Sequence, residues 1–449
     1  MTPAARLQAA ADVLDQLAGT RATAEVVLKA WGQQNRYAGS KDRRAIADRV
    51  YRCLRAKQRL LWAMRADEKG AKDNQGRAQG RAMVLASLAL IDGAPMAEIE
   101  DLFSGVGYGP KPLTDDERER LTAGEGGAPG WVATGLPEFV VAAFQQQFGA
   151  DRAAEATALM SPRAPIDLRV NGQKTTRAAM IEHLRTEGLA AEATPFSMYG
   201  IRLPAEPPPN LVKLDAYRDG LIEIQDEGSQ LAALLAGAGI LPGAAKVVDF
   251  CAGGGGKTLA LSQMMTGTGE IYAGDVVEKR LRAIEPRLAR AGQAAHFVHF
   301  DDPDNEAMLE PLLDADLVLV DAPCSGSGTW RRHPEEAHRL TEAEVARLHS
   351  LQVTILGRAA KCVKPGGRLV YVTCSMLDAE NAATADAFEA THAAFSPLAI
   401  SDLAKAGDGT WFDGEALARL GQSGHRLSLS PHKTHTDGFF IAAYRRSLA

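Results

Sequence analysis

Cys324 and Cys374 are the two residues whose type and placement suit covalent chemistry. The first lies in Leu319-Val-Asp-Ala-Pro-Cys-Ser-Gly-Ser-Gly328, the second in Tyr371-Val-Thr-Cys-Ser375. In each, a short apolar run stops and small residues take over, which places the cysteine at the carboxyl end of a strand. In α/β folds that edge is where ligands bind. A thiolate is a strong nucleophile, but an unperturbed cysteine has a pKa of ~8.5 and is only a few per cent ionised near neutrality. Pro-Cys alone, or Thr-Cys-Ser alone, would mean little. Both at one edge, with Asp321 two residues before the Pro-Cys, form a specific combination. Cys53 and Cys362 fall within helical patterns and read as small buried hydrophobes; Cys251 is a third cysteine at a strand end. The five cysteines show no CxxC pair and no metal-ligand spacing, which fits reduced thiols and no disulfide frame. His432 and His435 sit at i and i+3 without a third ligand nearby, so they read as surface or partner-facing histidines and no metal is expected.

The second chemical element is Val247–Thr258, VVDFCAGGGGKT. A buried strand ending in glycines and opening a helix lets a ligand press against backbone N–H groups. A phosphate loop would need glycine at 251, where Cys251 stands. A nucleoside-binding turn instead predicts a second strand ending, about 20 residues on, in an acid that holds a ribose hydroxyl pair. Glu270–Asp275 supplies it, with Asp275 last. A plain glycine linker does not explain that spacing.

These groups need a sheet to carry them. From about residue 240, strands at Val247–Asp249, Glu270–Asp275, Ala295–Phe300, Asp316–Val320 and Arg368–Thr373 alternate with helices starting near Lys257, Lys279, Asn305 and Thr341. This is the βαβα pattern of a parallel sheet wound on both faces. Before it, Ile166–Asn171, Ala190–Pro195, Ile201–Leu203 and Leu221–Gln225 read as short strands. Thr176 caps a helix over 177–185, and another helix runs over 230–236, giving a small α+β module. Residues 67 to 80 and Pro204 to Pro209 read as loops. The first 120 or so residues read as helices, with Ser40 as an N-cap and Ile46, Val50, Leu54 and Leu61 on one face. The expected domains are 1–130, helical; 131–238, helical linker plus α+β module; and 239–449, the α/β domain.

The 449 residues are 46% hydrophobic, enough for ordinary cores, and carry a net charge of -6. That balance argues against a wholly basic nucleic-acid binder. Yet Lys41 to Arg59 holds eight basic residues against two acids, which is either a solvated helix face or a phosphate-contacting one. No apolar run reaches membrane-span length and the N-terminus lacks a signal peptide's apolar core, so a cytoplasmic protein without a membrane partner is expected.

The motifs DFCAGGGGKT, DAPCSGSG followed by Arg-Arg-His-Pro334, VTCS and Thr436-Asp-Gly-Phe-Phe440 together resemble those of the RsmB/Sun/Nop family of RNA cytosine-5 methyltransferases. The resemblance covers roughly residues 160 to 449. SKDRRAIADRVYRCLR is similar to the helical NusB-like domain of bacterial members, and the middle module to the family's small RNA-binding domain. The implied fold is a Rossmann-like α/β methyltransferase domain behind a small α+β module and an all-α NusB-like domain. The implied cofactor is S-adenosylmethionine and the implied partner small-subunit ribosomal RNA, with tRNA as runner-up, acted on by a monomer. The resemblance further implies Cys374 as nucleophile toward cytosine C6, Cys324 as the group that helps release product, and Asp321 as the partner of the cytosine N3/N4 edge. It maps Cys251, Ala252, Gly253, Gly254, Gly255, Gly256 and Lys257 to the methionine part of the cofactor, with Lys257 ordering the catalytic loops. Asp275 maps to the ribose and Asp301, or its neighbour Asp302, to the adenine side. Arg43, Arg44, Arg52, Arg331 and Arg332 are the expected phosphate contacts. Two departures stand out: Gly253-Gly254 replaces the family's usual Ala-Pro, and Glu335 replaces the usual Asp after Arg-Arg-His-Pro. An RNA-binding assembly factor with a degenerate domain would lack Cys374, Asp321 or Asp275. A DNA cytosine methyltransferase would lack the Thr-Cys-Ser cysteine.

Overall fold

The computed structural model describes residues 1–65, 79–160, 163–206, 209–237, 243–265, 268–303, 305–405, 420 and 424–448. Most of the loop expected at 67–80, part of the proline-rich loop at 204–209 and the domain boundary expected at 238/239 lie outside them. By packing, the chain forms two units: Met1–Pro162 with Trp330–Leu340, and Arg163–Thr329 with Thr341–Ala449.

The first unit is helical. Its helices Pro3–Ala18, Ala24–Gln34, Ser40–Arg55, Lys57–Ala63 and Gln79–Leu90 bury Val13, Leu14, Trp31, Ile46, Val50, Leu60 and Leu85 in one core. Ser40 was expected as an N-cap but is the first helical residue. Gly39 caps instead, because Asp42 Oδ2 accepts the Gly39 N–H at 3.2 Å. The helices Glu138–Phe148 and Arg152–Met160 pack here too, as does the stretch Trp330–Leu340. Trp330 is fully buried. Glu335 Oε1 accepts the Ala24 N–H at 2.9 Å, at the start of a helix with unpaired N–H groups. The substituted Glu335 is thus a capping ligand.

The second unit holds two sheets. The smaller is antiparallel, in the order β2-β3-β1-β4, from β1 Ile166–Val170, β2 Glu192–Ala193, β3 Gly200–Leu203 and β4 Ile222–Ile224. Thr176 caps the helix Arg177–Thr186 as expected, accepting the Ala179 N–H. The larger sheet comprises β5 Lys246–Asp249, β6 Glu270–Asp275, β7 His296–His299, β8 Ala315–Asp321, β9 Val363–Thr373, β10 Phe395–Pro397, β11 Arg426–Leu429 and β12 Phe439–Arg446. Its order is β10-β12-β9-β8-β5-β6-β7, with β11 also on β12. Strands β5 to β9 are parallel, as the alternating pattern predicts. Strand β12 is antiparallel to β9 and adds an edge that the parallel reading lacked. The helix expected near Asn305 is a short 3-10 helix, Glu306–Leu312, containing Pro311, which cannot donate an α-helical hydrogen bond. The chain winds β5, β6, β7 outward, then returns to place β8 on the other side of β5. In open α/β sheets such a reversal marks the carboxyl ends of the strands on either side, here β5 and β8, as the place where ligands bind.

Candidate active site

Strands β8 and β9 are parallel neighbours with Asp321 opposite Val372. Pairing continues one step further, Ala322 N–H donating to Val372 O at 2.9 Å. Each chain then leaves the sheet at a cysteine, so Cys324 Sγ and Cys374 Sγ meet at 3.4 Å. The loops are laced together: Gly328 N–H donates to Cys374 O at 2.9 Å, and Gly438 N–H to Gly328 O at 2.8 Å. A Cβ on Gly328 would lie 2.1 Å from Gly438 O, so the closing motif needs glycine at both crossing points. The hydrogen bond from Cys374, burial and the Glu380 carboxylate together hold the Cys324 thiol well above the ordinary range. Cys53 and Cys362 are fully buried in helices as expected, burial pushing them up to about 11 and about 12.

Beside the thiols, Lys257 Nζ pairs with Asp321 Oδ2 at 2.6 Å and lies 5.2 Å from the centre of the Phe439 ring. Burial alone would lower the lysine's pKa, but Asp321 reverses the sign and keeps the ammonium charged. The glycine loop turns by left-handed φ of +54° at Gly253 and +80° at Gly255. Ala252 N–H donates to Gly274 O, and Gly253 N–H to Asp275 Oδ2 at 2.9 Å. Asp275 Oδ1 takes the Val277 N–H at 2.7 Å, so the acid at the end of β6 fastens the loop across the strand ends. Cys251 is half-buried, its thiol pushed up by burial.

These residues suit a nucleoside-bearing cofactor. Gly254 is exposed, and a Cβ there would meet only Arg287 Nη1, at 3.7 Å. Val276, next to Asp275, is an exposed apolar residue that sequence reading passed over. Buried Asp249 Oδ1 lacks a hydrogen-bond partner among the described residues, while Oδ2 takes the Thr258 hydroxyl at 2.6 Å. Burial pushes that carboxyl up to about 7. Asp301 and Asp302 follow Phe300 beyond β7 and are both exposed. Sequence reading also missed Glu380 and Gln352, whose contacts are described below.

The expected phosphate contacts belong to the helical unit and divide there. Arg43 and Arg44 are exposed. Arg52 pairs with Asp92 at 2.8 Å. Arg331, expected from sequence as a phosphate contact, is 4% exposed. Arg332 is half-buried. No helix among the described residues is long and apolar enough to cross a membrane.

Fold and site together define an S-adenosylmethionine-dependent methyltransferase. The 16S rRNA methyltransferase RsmB/F family matches residues 242–445, and the ribosomal RNA small subunit methyltransferase B of Sodalis glossinidius is 32% identical over 334 residues, 74% of this chain and 68% of that protein. The chain belongs to the RsmB/F family. The ferredoxin-like domain of RsmF/B-like methyltransferases matches residues 136–208. The probable ribosomal RNA small subunit methyltransferase B of Synechocystis is 29% identical over 332 residues, 74% of this chain and 70% of that protein. Among solved structures, a methyltransferase homolog protein from Pyrococcus horikoshii is 28% identical, covering 70% of this chain and 97% of its own with a TM-score of 0.56. PH0851 shares the fold over 99% of both chains, with a TM-score of 0.74 at 21% identity.

Proposed function

We propose that this enzyme methylates C5 of a cytosine in small-subunit ribosomal RNA through a covalent bond between Cys374 and C6. The observation that carries the reading is the pair of thiols 3.4 Å apart beside the Lys257–Asp321 ion pair. Cytosine C5 is a poor nucleophile. Addition of the Cys374 thiolate to C6 forms an S–C6 bond and moves the ring's π electrons toward C5, splitting one hard step into easier ones. S-adenosylmethionine supplies an electrophilic methyl group to that carbon. Loss of the C5 proton to water then re-forms the C5–C6 double bond and expels the Cys374 thiolate, a step that Cys324 assists. Asp321, with 30% of its side chain exposed and one oxygen on Lys257, holds the cytosine N3/N4 edge. Gly253 to Gly256, Lys257 and Asp275 hold the methionine and ribose parts of the cofactor, the exposed Val276 lies beside the ribose acid, and Asp301 or Asp302 serves the adenine side. The base leaves any stack at a cost of a few kcal/mol.

Cysteine variants incubated with substrate RNA and S-adenosylmethionine test the assignment. Cys374→Ala is expected to abolish methylation and leave no covalent complex. Cys324→Ala is expected to add Cys374 to C6, transfer the methyl and stall, so that a protein–RNA adduct persists on a denaturing gel. An adduct trapped by Cys374→Ala and absent from Cys324→Ala would reverse the roles.

A further inference from the structure

The two thiols are not held by their strands alone. Glu380, five residues beyond Ser375 and fully buried, places one carboxylate between the two loops. Its Oε1 accepts the Ser325 N–H at 2.8 Å and the Gln352 side-chain amide at 3.0 Å. Its Oε2 accepts the Ser375 hydroxyl at 2.6 Å and the Ser325 hydroxyl. Ser325 directly follows Cys324, and Ser375 directly follows Cys374. Gln352 also donates to the carbonyl of Pro323 at 2.9 Å, the residue before Cys324. Glu380 is itself fixed: its N–H donates to Leu377 O at 2.9 Å, and its carbonyl accepts the Tyr371 hydroxyl at 2.6 Å.

A buried carboxylate without a cation is costly, and all four of these donors are neutral. An ionised carboxylate offers about four lone-pair sites and no donor, which matches four inward-pointing donors. A glutamine there would face its NH2 group to the Ser325 and Ser375 hydroxyls, which would have to turn and accept, and it would remove the charge that strengthens all four bonds. The acid therefore suits the task of gathering two loops that an apolar residue would leave with unmet donors. The same charge, after the Cys374 hydrogen bond and burial, helps keep Cys324 in its S–H form.

We propose that Glu380 is a positioning residue that sets the spacing between Cys324 and Cys374. Its part in catalysis rests on the two-cysteine reading above; its part in geometry does not. The test uses the full chain and the variant Glu380→Gln. Diamide, a thiol oxidant that accepts the two hydrogens and is reduced to a hydrazine, converts adjacent thiols into a disulfide. Peptide mapping then follows the rate of the 324–374 bond. Because disulfide closure demands close and well-directed sulfurs, Glu380→Gln is expected to slow it about tenfold. S-adenosylmethionine affinity by calorimetry should stay as in the wild type, since the cofactor loop is untouched. The methylated RNA adduct should live longer, partly reproducing Cys324→Ala. Should Glu380→Gln not fold, the paired variant Ser325→Ala, Ser375→Ala removes both hydroxyl donors, keeps the acid and must slow oxidation as well. An unchanged oxidation rate overturns the positioning role whatever the RNA chemistry. Slowed oxidation, with no adduct on RNA in any variant, keeps the positioning role and sinks the covalent reading.

Discussion

Asp275 ties two parts of the site into one device. Its two oxygens accept the N–H groups of Gly253 and Val277, so the acid proposed to hold the ribose also shapes the turn beside it. Asp275→Ala is expected to weaken S-adenosylmethionine binding more than tenfold by calorimetry, since a hydrogen bond to a charged group contributes roughly 1.5–3 kcal/mol. Unchanged affinity would remove Asp275 from the cofactor site. Gly255 carries a second prediction. With φ at +80°, an added Cβ would lie 2.6 Å from Ile284 Cγ2 in the neighbouring helix. Gly255→Ala should lower both the melting temperature and the cofactor affinity; a variant matching the wild type in both would show that the turn can relax. Asp275, Cys324 and Cys374 were readable because each ends an apolar run, and a strand end has one direction in which to point. Glu380 was not. In Cys374-Ser-Met-Leu-Asp-Ala-Glu380 it is one of two acids in an irregular stretch. Its role arises only when the chain folds back and gathers donors from three separate segments.

The same contrast separates the strands. Strands β5 to β9 announce themselves as apolar runs between helical patterns, and the right-handed winding rule then leaves little choice of topology. The antiparallel edge was not legible: Phe439–Arg446 is equally apolar, but its partner β9 was already complete as a parallel strand. The stretch Trp330–Leu340, which holds Arg331 and Arg332, follows the Pro-Cys loop in sequence, yet it packs into the helical unit. Arg339 donates to the carbonyls of Thr20 and Ala22 at 3.0 Å each, near the end of helix Pro3–Ala18. His338 Nε2 donates to Leu54 O at 2.8 Å. Burial, assisted by the nearby Lys57 charge, holds the imidazole neutral and lowers its pKa to about 3. An unfolded histidine titrates near ~6.5. Below that pH the unfolded chain binds a proton that the folded unit refuses. The contribution is therefore complete above ~6.5 and is lost progressively as pH falls toward the folded value. His338→Gln keeps a donor for Leu54 and removes the titration. Urea midpoints should decline less steeply between about pH 6.5 and about pH 4 in this variant than in the wild type. Equal slopes would mean that His338 is not a source of acid sensitivity.

Across the whole chain, charge is sorted and not uniform. The protein carries a net -6, yet an arginine-rich helix crosses its helical unit. Much of that run is engaged internally. Arg49 and Arg52 share Asp92, at 2.6 and 2.8 Å, and Arg59 pairs with Glu125 at 2.7 Å. Lys41, Arg43 and Arg44 remain exposed in the first turn and a half of the helix. Arg43 Nε is steadied by the Ala38 carbonyl at 2.9 Å. If this face meets RNA phosphates, the cations that matter are the exposed ones, and the expectation drawn from sequence for Arg52 narrows to Arg43 and Arg44. Each lost contact with a single-stranded segment should reduce the slope of log affinity against log salt by about 0.7. Arg43→Glu with Arg44→Glu is therefore expected to weaken RNA binding at low salt and flatten that slope, with cofactor affinity unchanged. Arg52→Ala is the internal control. It takes one partner from Asp92 and should lower the stability of the helical unit by about 0.2–1 kcal/mol, as for a partly exposed ion pair, while leaving the salt slope in place. Binding curves at several salt concentrations, alongside melting temperatures, separate the two effects. A slope that flattens in Arg52→Ala but holds in the double variant would move the RNA-facing surface to the Asp92 side of the helix; no change in either would make the run a solvated face.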